Sequence, residues 1–253
     1  FKCSSPIDSR ESAENLLKKG YQAVFLAPGL WDAVSLKGAE PPIKGLYSSV
    51  NYLEGLRDGR LESLAAEIEN RTVAVIGGGS VAMDCVESAT RLGAKDVYLV
   101  YRRSYTQMPA EEDERIGALQ NGIHFLLLNQ PVDFVIDENK GIMGLKLVRT
   151  ALGGVDASGR RSPVNIENSE WILDTDVVIE AIGNKADDQS PTWYPNVKLN
   201  AKNLIQADSK TGKTSVQGIF AGGDIVRGPA LVVHAVQDGK IAARSIKAYL
   251  SSL

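Results

Sequence analysis

The chain has 253 residues, 43% hydrophobic and 23% charged, the balance of a globular protein with one large or two smaller domains. A formal net charge of −3, with basic residues only in short spots, excludes a nucleic-acid partner, and no apolar run approaches a membrane span. Two cysteines without a C-x-x-C, and two distant histidines, exclude a dithiol centre, a cysteine-ligated iron–sulfur cluster and a metal site within the chain.

No signal-peptide pattern is visible, so a cytoplasmic location is expected. The first residue is Phe1 and the opening segments read as the interior of something longer, so a fragment or processed piece is expected. Residues 11–19 have the spacing of a short amphipathic helix closed by Gly20, and 21–27 read as a buried strand broken by Pro28-Gly29. Residues 30–47, rich in Pro and Gly, read as a surface connection. Helical pieces are expected near 48–57 and 61–69, then a strand at 72–76. Met108-Pro109 with acids behind it predicts a helix whose first turn holds Pro109, running to about Gln120 and stopped by Asn121-Gly122. A strand follows at 123–128. Segments near 131–137, 142–150 and 169–173 alternate as an antiparallel meander, with a polar, glycine-containing loop at 153–168. Residues 176–182 return as a buried strand ending at Gly183. Residues 218–221 form a strand running into Gly222-Gly223-Asp224, and 229–250 read as a long helix opening with Ala230-Leu231-Val232-Val233.

The strongest signal lies at 73–101. Val73-Ala74-Val75-Ile76 is a buried strand, and Gly77-Gly78-Gly79-Ser80-Val81-Ala82 has the spacing G-x-G-x-x-A of a dinucleotide-binding turn. Gly77 allows the tight turn, Gly79 lets backbone approach a pyrophosphate, and Ala82 lets the new helix pack on its strand. A helix at 80–92, a stop at Gly93 and a second strand at 96–101 complete a βαβ unit. An NAD site would place an acid at the tip of that second strand; here it ends in Arg102-Arg103. Two guanidiniums suit an adenosine 2′-phosphate and favour NADP(H), the other reading being a solvated basic pair. Cys85, on the fingerprint helix, reads as a small buried packing residue. Asp84, Glu180 and His234 are given no chemistry, and His124 reads as structural.

With these motifs placed, the chain resembles the two-dinucleotide flavoprotein reductases, and more closely the small (β) subunit of glutamate synthase and its NADPH-dependent relatives. The residues that carry the resemblance are 21–29, the Gly77–Asp84 turn, 100–109 (Val-Tyr-Arg-Arg-Ser-Tyr-Thr-Gln-Met-Pro), 178–183 (Val-Ile-Glu-Ala-Ile-Gly) and 218–224 (Gly-Ile-Phe-Ala-Gly-Gly-Asp) with the helix after it. The resemblance implies an α/β fold: a Rossmann-like doubly wound parallel sheet with an antiparallel meander, an NADPH-binding domain (48–183) inserted in a partial FAD-binding domain (1–47 and 184–253). It implies that Gly77, Gly78, Gly79, Ser80, Val81 and Ala82 hold the NADPH pyrophosphate, Arg102 and Arg103 the 2′-phosphate, and that Gly183 leaves room for the nicotinamide. Toward FAD it implies Gly29, Gly223, Asp224, Ala230, Leu231 and Val232, with Asp224 accepting from a ribityl hydroxyl or else serving as a turn acid. No catalytic side chain and no metal ligand is implied, because the cofactors carry the chemistry.

The implied function is transfer of hydride from NADPH to FAD and onward to iron–sulfur clusters, the acceptor being an iron–sulfur domain or a large catalytic subunit. Alternatives are the reductase part of a dihydropyrimidine-dehydrogenase-like protein and a non-catalytic NADPH-binding module. Three departures stand out: no first G-x-G-x-x-G for the ADP half of FAD, no cysteine-rich region, and Pro28 where the family has threonine. The chain alone is therefore expected to bind NADPH, to retain little FAD and to be inactive.

Overall fold

A computed structural model describes residues 1–8, 10–37, 42–156 and 159–253; residues 38–41 of the expected surface connection and 157–158 of the expected polar loop lie outside the described residues. The chain divides into two compact units, a split one of Phe1–Asp32 with Gly183–Leu253 and a continuous one of Ala33–Ile182.

The split unit begins with α1 (Ala13–Lys18), whose first turn is capped by the Ser12 hydroxyl accepting from the Asn15 N–H, and β1 (Val24–Leu26). Two-residue β2 (Asp32–Ala33) stands where the chain leaves this unit.

The continuous unit then runs β3 (Leu46–Ser48), α2 (Ser49–Gly55), α3 (Leu61–Ile68), β4 (Thr72–Ile76), α4 (Ser80–Arg91) and β5 (Asp96–Tyr101). It goes on with α5 (Glu112–Gln120), β6 (His124–Leu127), β7 (Asn129–Ile136), β8 (Ile142–Val155), β9 (Arg161–Asp174) and β10 (Val177–Glu180). Among the described residues its main sheet has five parallel strands in the order β3-β10-β4-β5-β6. Side chains alternate across it, as the two-residue period of a strand dictates. Val73, Val75, Val97, Leu99, Val177 and Ile179 pack under the helices with Met83, Val86 and Ala89 of α4. Ala74, Ile76, Val100 and Val178 face the other way, onto Phe134, Leu145, Leu147 and Leu173 of the antiparallel meander β7-β8-β9. The second cover of this sheet is thus the meander. With both faces covered, the strands are apolar throughout. Each fully buried Val, Leu or Ile contributes about 1.5–3 kcal/mol.

Three expectations are corrected here. Residues 33–37 and 42–47 belong to the continuous unit: Leu36, Ile43 and Leu46 pack on its meander-side core, and β3 pairs with β10 at Leu46↔Val178. Their Pro and Gly content hides a short edge strand whose partner is far away in sequence. Residues 153–156 and 159–168 are mostly strand, because β8 and β9 stay paired from Thr150↔Asn165 to Val155↔Arg161. Being solvated, that stretch carries no apolar alternation to betray it. Finally, Pro109 lies ahead of α5, which starts at Glu112; residues 105–107 form a 3-10 turn instead.

The split unit resumes with β11 (Asn184–Lys185), β12 (Ile219–Ala221), α6 (Asp224–Arg227) and α7 (Val232–Leu250). β1 and β12 pair in parallel, Val24↔Ile219. Leu26, Ala186, Tyr194, Val197, Ile205, Ile219 and Ile225 form its core. Helix α7 covers β12 through Phe220 and Tyr249, whose rings meet edge to face at 5.9 Å.

Candidate functional site

The parallel strands of the continuous unit all deliver their carboxyl ends to one edge, where an open α/β sheet offers its ligand crevice. Register puts Ile76 beside Val100 and beside Glu180, so the glycine turn stands between the ends of β5 and β10. Its first N–H, on Gly77, donates to the Val100 carbonyl at 3.0 Å, and Ala181 N–H donates to Ile76 O at 2.8 Å.

Each glycine of the turn has its own reason. Gly77 has φ of +147°, and a Cβ there would lie 2.3 Å from the Ala181 carbonyl oxygen. Gly78 is required by a neighbour the sequence did not reveal, since its Cβ would fall 2.6 Å from ring carbons of Tyr101. A Cβ on Gly79 would meet nothing nearer than Pro109 Cγ, at 3.7 Å. Ala82 is fully buried below them.

Gly79 is the N-cap of α4, and among the described residues no side chain caps this helix. The free N–H groups and the dipole of its first turn favour an anion. Ser80 is half-buried and its hydroxyl donates to Glu114 Oε2 at 2.8 Å; the same carboxylate oxygen accepts from Glu111 N–H at 2.9 Å. This pins the first turn of α5 to that of α4. Ala110 N–H donates to Gly78 O at 3.1 Å, so the Met108-Pro109-Ala110 segment buttresses the turn. Val81 is exposed at 44%. Burial, and then the carboxylates of Glu114 and Glu87, raise the Asp84 carboxyl above its ordinary value. The Cys85 thiol is buried and burial pushes it far up, which removes it as a nucleophile.

Arg102 and Arg103 do not form an exposed pair. Arg102 is exposed, whereas Arg103 is 5% exposed. Arg103 Nη2 donates to Asp156 Oδ2 at 2.7 Å and its Nε donates to the Arg161 carbonyl at 2.8 Å. β5 ends at Tyr101 and the chain bends at both arginines, where one side chain is exposed and the other buried. Asp156 left no signal in the sequence, 53 residues away. Glu180, at the end of β10, is buried and accepts from the Leu36 N–H at 2.6 Å; burial raises its carboxyl.

In the split unit, Gly29 has φ of +75° beside Trp31, whose indole N–H donates to Pro28 O at 2.6 Å. Gly183 has φ of +121° with nothing within 4 Å of its Cβ position. The Gly223 turn (φ +77°) is held by a residue that sequence reading missed: Gly223 N–H donates to Asp238 Oδ2 of α7 at 2.9 Å, and Arg227 pairs with the same carboxylate. Asp224 opens α6 directly after Gly223, and burial raises its carboxyl. Leu231 has extended backbone as N-cap, so α7 opens at Val232, three residues later than 229. Ala230, Leu231 and Val232 are exposed there, and among the described residues no side chain caps α7. A surface depression of about 450 Å3 in this unit, bounded by Lys198, Gln206, Asp208 and Lys213, shares no residue with either set.

Among the described residues no group of histidines, cysteines or carboxylates is arranged to hold a metal, and no helix is long and apolar enough to cross a membrane. Comparison with known proteins extends these findings. The chain is 41% identical to the NADP(+)-dependent formate dehydrogenase subunit beta of Moorella thermoacetica, over 92% of this chain and 32% of that protein. It is 34% identical to the glutamate synthase [NADPH] small chain of Escherichia coli K12, over 99% of this chain and 55% of that protein. It therefore spans from a third to just over half of these curated relatives. Mycobacterium tuberculosis FprA in complex with NADPH shares the fold at a TM-score of 0.76 and 17% identity, covering 97% of this chain and 67% of that one. The thioredoxin reductase of T. acidophilum does so at 0.64 and 22%, covering 91% and 66%. A family model described as pyridine nucleotide-disulphide oxidoreductase matches residues 6–239, so the glycine turn, the parallel sheet and the Gly223 turn all fall inside it, and the chain belongs to that family.

Proposed function

We propose that this chain is the NADPH-binding part of a flavin-dependent oxidoreductase. In it, reducing equivalents pass from NADPH to FAD and on to an iron–sulfur domain or a larger catalytic subunit. The observation that carries this reading is the uncapped start of α4, set on a glycine turn at the carboxyl edge of the sheet and one strand away from exposed Arg102. A dinucleotide fits there: the Gly79 backbone stands clear of other atoms where a pyrophosphate would approach. Names of relatives that carry NADP(+) or NADPH, and that denote subunits, support it.

When bound, the two coenzymes supply the redox chemistry, a hydride equivalent moving from nicotinamide to flavin. Gly77, Gly78, Gly79, Ser80, Val81 and Ala82 form the pyrophosphate seat. Arg102 takes the adenosine 2′-phosphate through charge-assisted hydrogen bonds. Arg103 underpins it from the buried side. Gly183 keeps space open for the nicotinamide end. Toward FAD, Gly29 and Gly223 keep the backbone close to the ligand, Asp224 accepts from a ribityl hydroxyl, and Ala230, Leu231 and Val232 form the entry to α7. The N–H groups and dipole of that helix favour negative charge at the pyrimidine end of the flavin ring.

Titration of the purified 253-residue chain tests the reading. NADPH is expected to bind more tightly than NADH, and flavin absorbance is expected to be well below one equivalent, because the chain holds a single dinucleotide fingerprint. Absence of affinity for both nicotinamide coenzymes would refute it.

A further inference from the structure

The hairpin of β8 and β9 reaches well past the core beneath it. Leu145, Leu147 and Leu173 near its base are buried, whereas Val155, Val164 and Ile166 toward its end are 70%, 53% and 45% exposed. Apolar burial therefore does not hold the distal half in place. Polar bonds to the residues just after β5 do. Besides the two bonds from Arg103, Arg161 N–H donates to Gln107 Oε1 at 2.8 Å, and the Thr150 hydroxyl donates to the Arg102 carbonyl at 2.8 Å. Leu128 N–H fixes the Arg103 carbonyl at 3.1 Å, and Leu128 O in turn accepts from Thr150 N–H.

The side chain of Arg103 is 6% exposed and that of Asp156 28%. A guanidinium is tolerated in such a place only when an anion and acceptors satisfy it. Asp156 is that anion. The hairpin end thus fastens both arginines, one by its side chain and the other by its backbone.

We propose that Asp156 is a positioning residue for coenzyme selection: acting through Arg103, it fixes the end of β5 so that Arg102 presents its guanidinium to the 2′-phosphate. This rests on the assignment of that phosphate to the β5 end. The hairpin is then a wall of the selectivity site as well as a cover for the sheet. An anchor with a purely structural role would lower stability and weaken every nucleotide alike.

Calorimetry with 2′,5′-ADP and 5′-AMP, which differ by the 2′-phosphate, separates these roles. Wild type is expected to prefer 2′,5′-ADP; no preference would overturn the coenzyme assignment itself. Asp156→Asn is expected to weaken 2′,5′-ADP about fivefold to tenfold and leave 5′-AMP unchanged, with no further loss when added to Arg103→Ala, as for residues acting through one another. Equal loss of both nucleotides, no loss in a folded variant, or additive losses would overturn the inference while leaving the coenzyme assignment standing. Should Asp156→Asn or Arg103→Ala fail to fold, Arg103→Lys reads the same arm, because it keeps the charge but loses the planar guanidinium that reaches Asp156 and the Arg161 carbonyl together; retained preference there counts against the inference.

Discussion

Replacing Arg102 with alanine isolates the contact proposed to set coenzyme choice. The side chain is exposed and its carbonyl is held by Thr150, so truncation opens no core cavity and leaves the strand end in place. Stability should change by less than about 0.5 kcal/mol. A charge-assisted bond to a phosphate is worth about 1.5–3 kcal/mol, and exposure to solvent puts this one in the lower half of that range. At about 1.4 kcal/mol per tenfold, the Kd for NADPH should rise about 10- to 40-fold, while that for NADH, which lacks the phosphate, should change less than about twofold. Fluorescence titrations of both coenzymes at two salt concentrations read this directly. Wild-type affinity for NADPH should fall more steeply with salt than the variant's, because an exposed ion pair is screened. Equal losses for the two coenzymes would refute the assignment and leave Arg102 a solvated surface charge. Arg103→Ala should behave differently: it removes one donor each from Asp156 Oδ2 and the Arg161 carbonyl, costing about 1–3 kcal/mol of folding stability.

The glycine turn and the Gly223 turn give two more tests. Gly79→Ala should leave the melting temperature almost unchanged, as its Cβ meets only an ordinary contact with Pro109, yet remove binding of both coenzymes; Gly77→Ala, with φ of +147° and a carbonyl oxygen 2.3 Å from its Cβ, should destabilise by about 2 kcal/mol or more. Melting curves beside titrations check the contrast, and a melting temperature for Gly79→Ala lowered as far as that for Gly77→Ala would refute it. Burial alone would raise the Asp238 carboxyl, but the Arg227 guanidinium and the Gly223 N–H together hold it below its ordinary value. Its stabilising contribution is therefore full above the unfolded value of about 3.9 and is lost as pH falls through the lower folded one. Asp238→Asn should melt lower than wild type near pH 7, and the gap should close as acid protonates the folded carboxyl; a gap that persists in acid would show that charge is not what holds the turn.

Residues 72–101 were legible because everything that shapes them is local. An apolar run, glycines at fixed spacing, small residues on one helix face and a second apolar run dictate strand, turn, helix and strand wherever the segment is placed. Where the sequence misled, the deciding partner was remote. Leu46–Ser48 is a strand because β10, over a hundred residues on, supplies its hydrogen bonds. The polar stretch after Gly153 is strand because β8 and β9 pair there in solvent, where no apolar period marks them.

The same division runs through the candidate site. The amino-acid order by itself determined the glycine turn and the start of α4, since a helix start on glycine is a property of a few consecutive residues. Only the tertiary structure decided that Tyr101 demands a glycine at position 78, that Asp238 holds the Gly223 turn, and that Arg102 meets solvent while Arg103 is taken by Asp156. Burial and charge pairing depend on what the rest of the chain brings alongside, and identical neighbours in sequence can be assigned opposite roles by it.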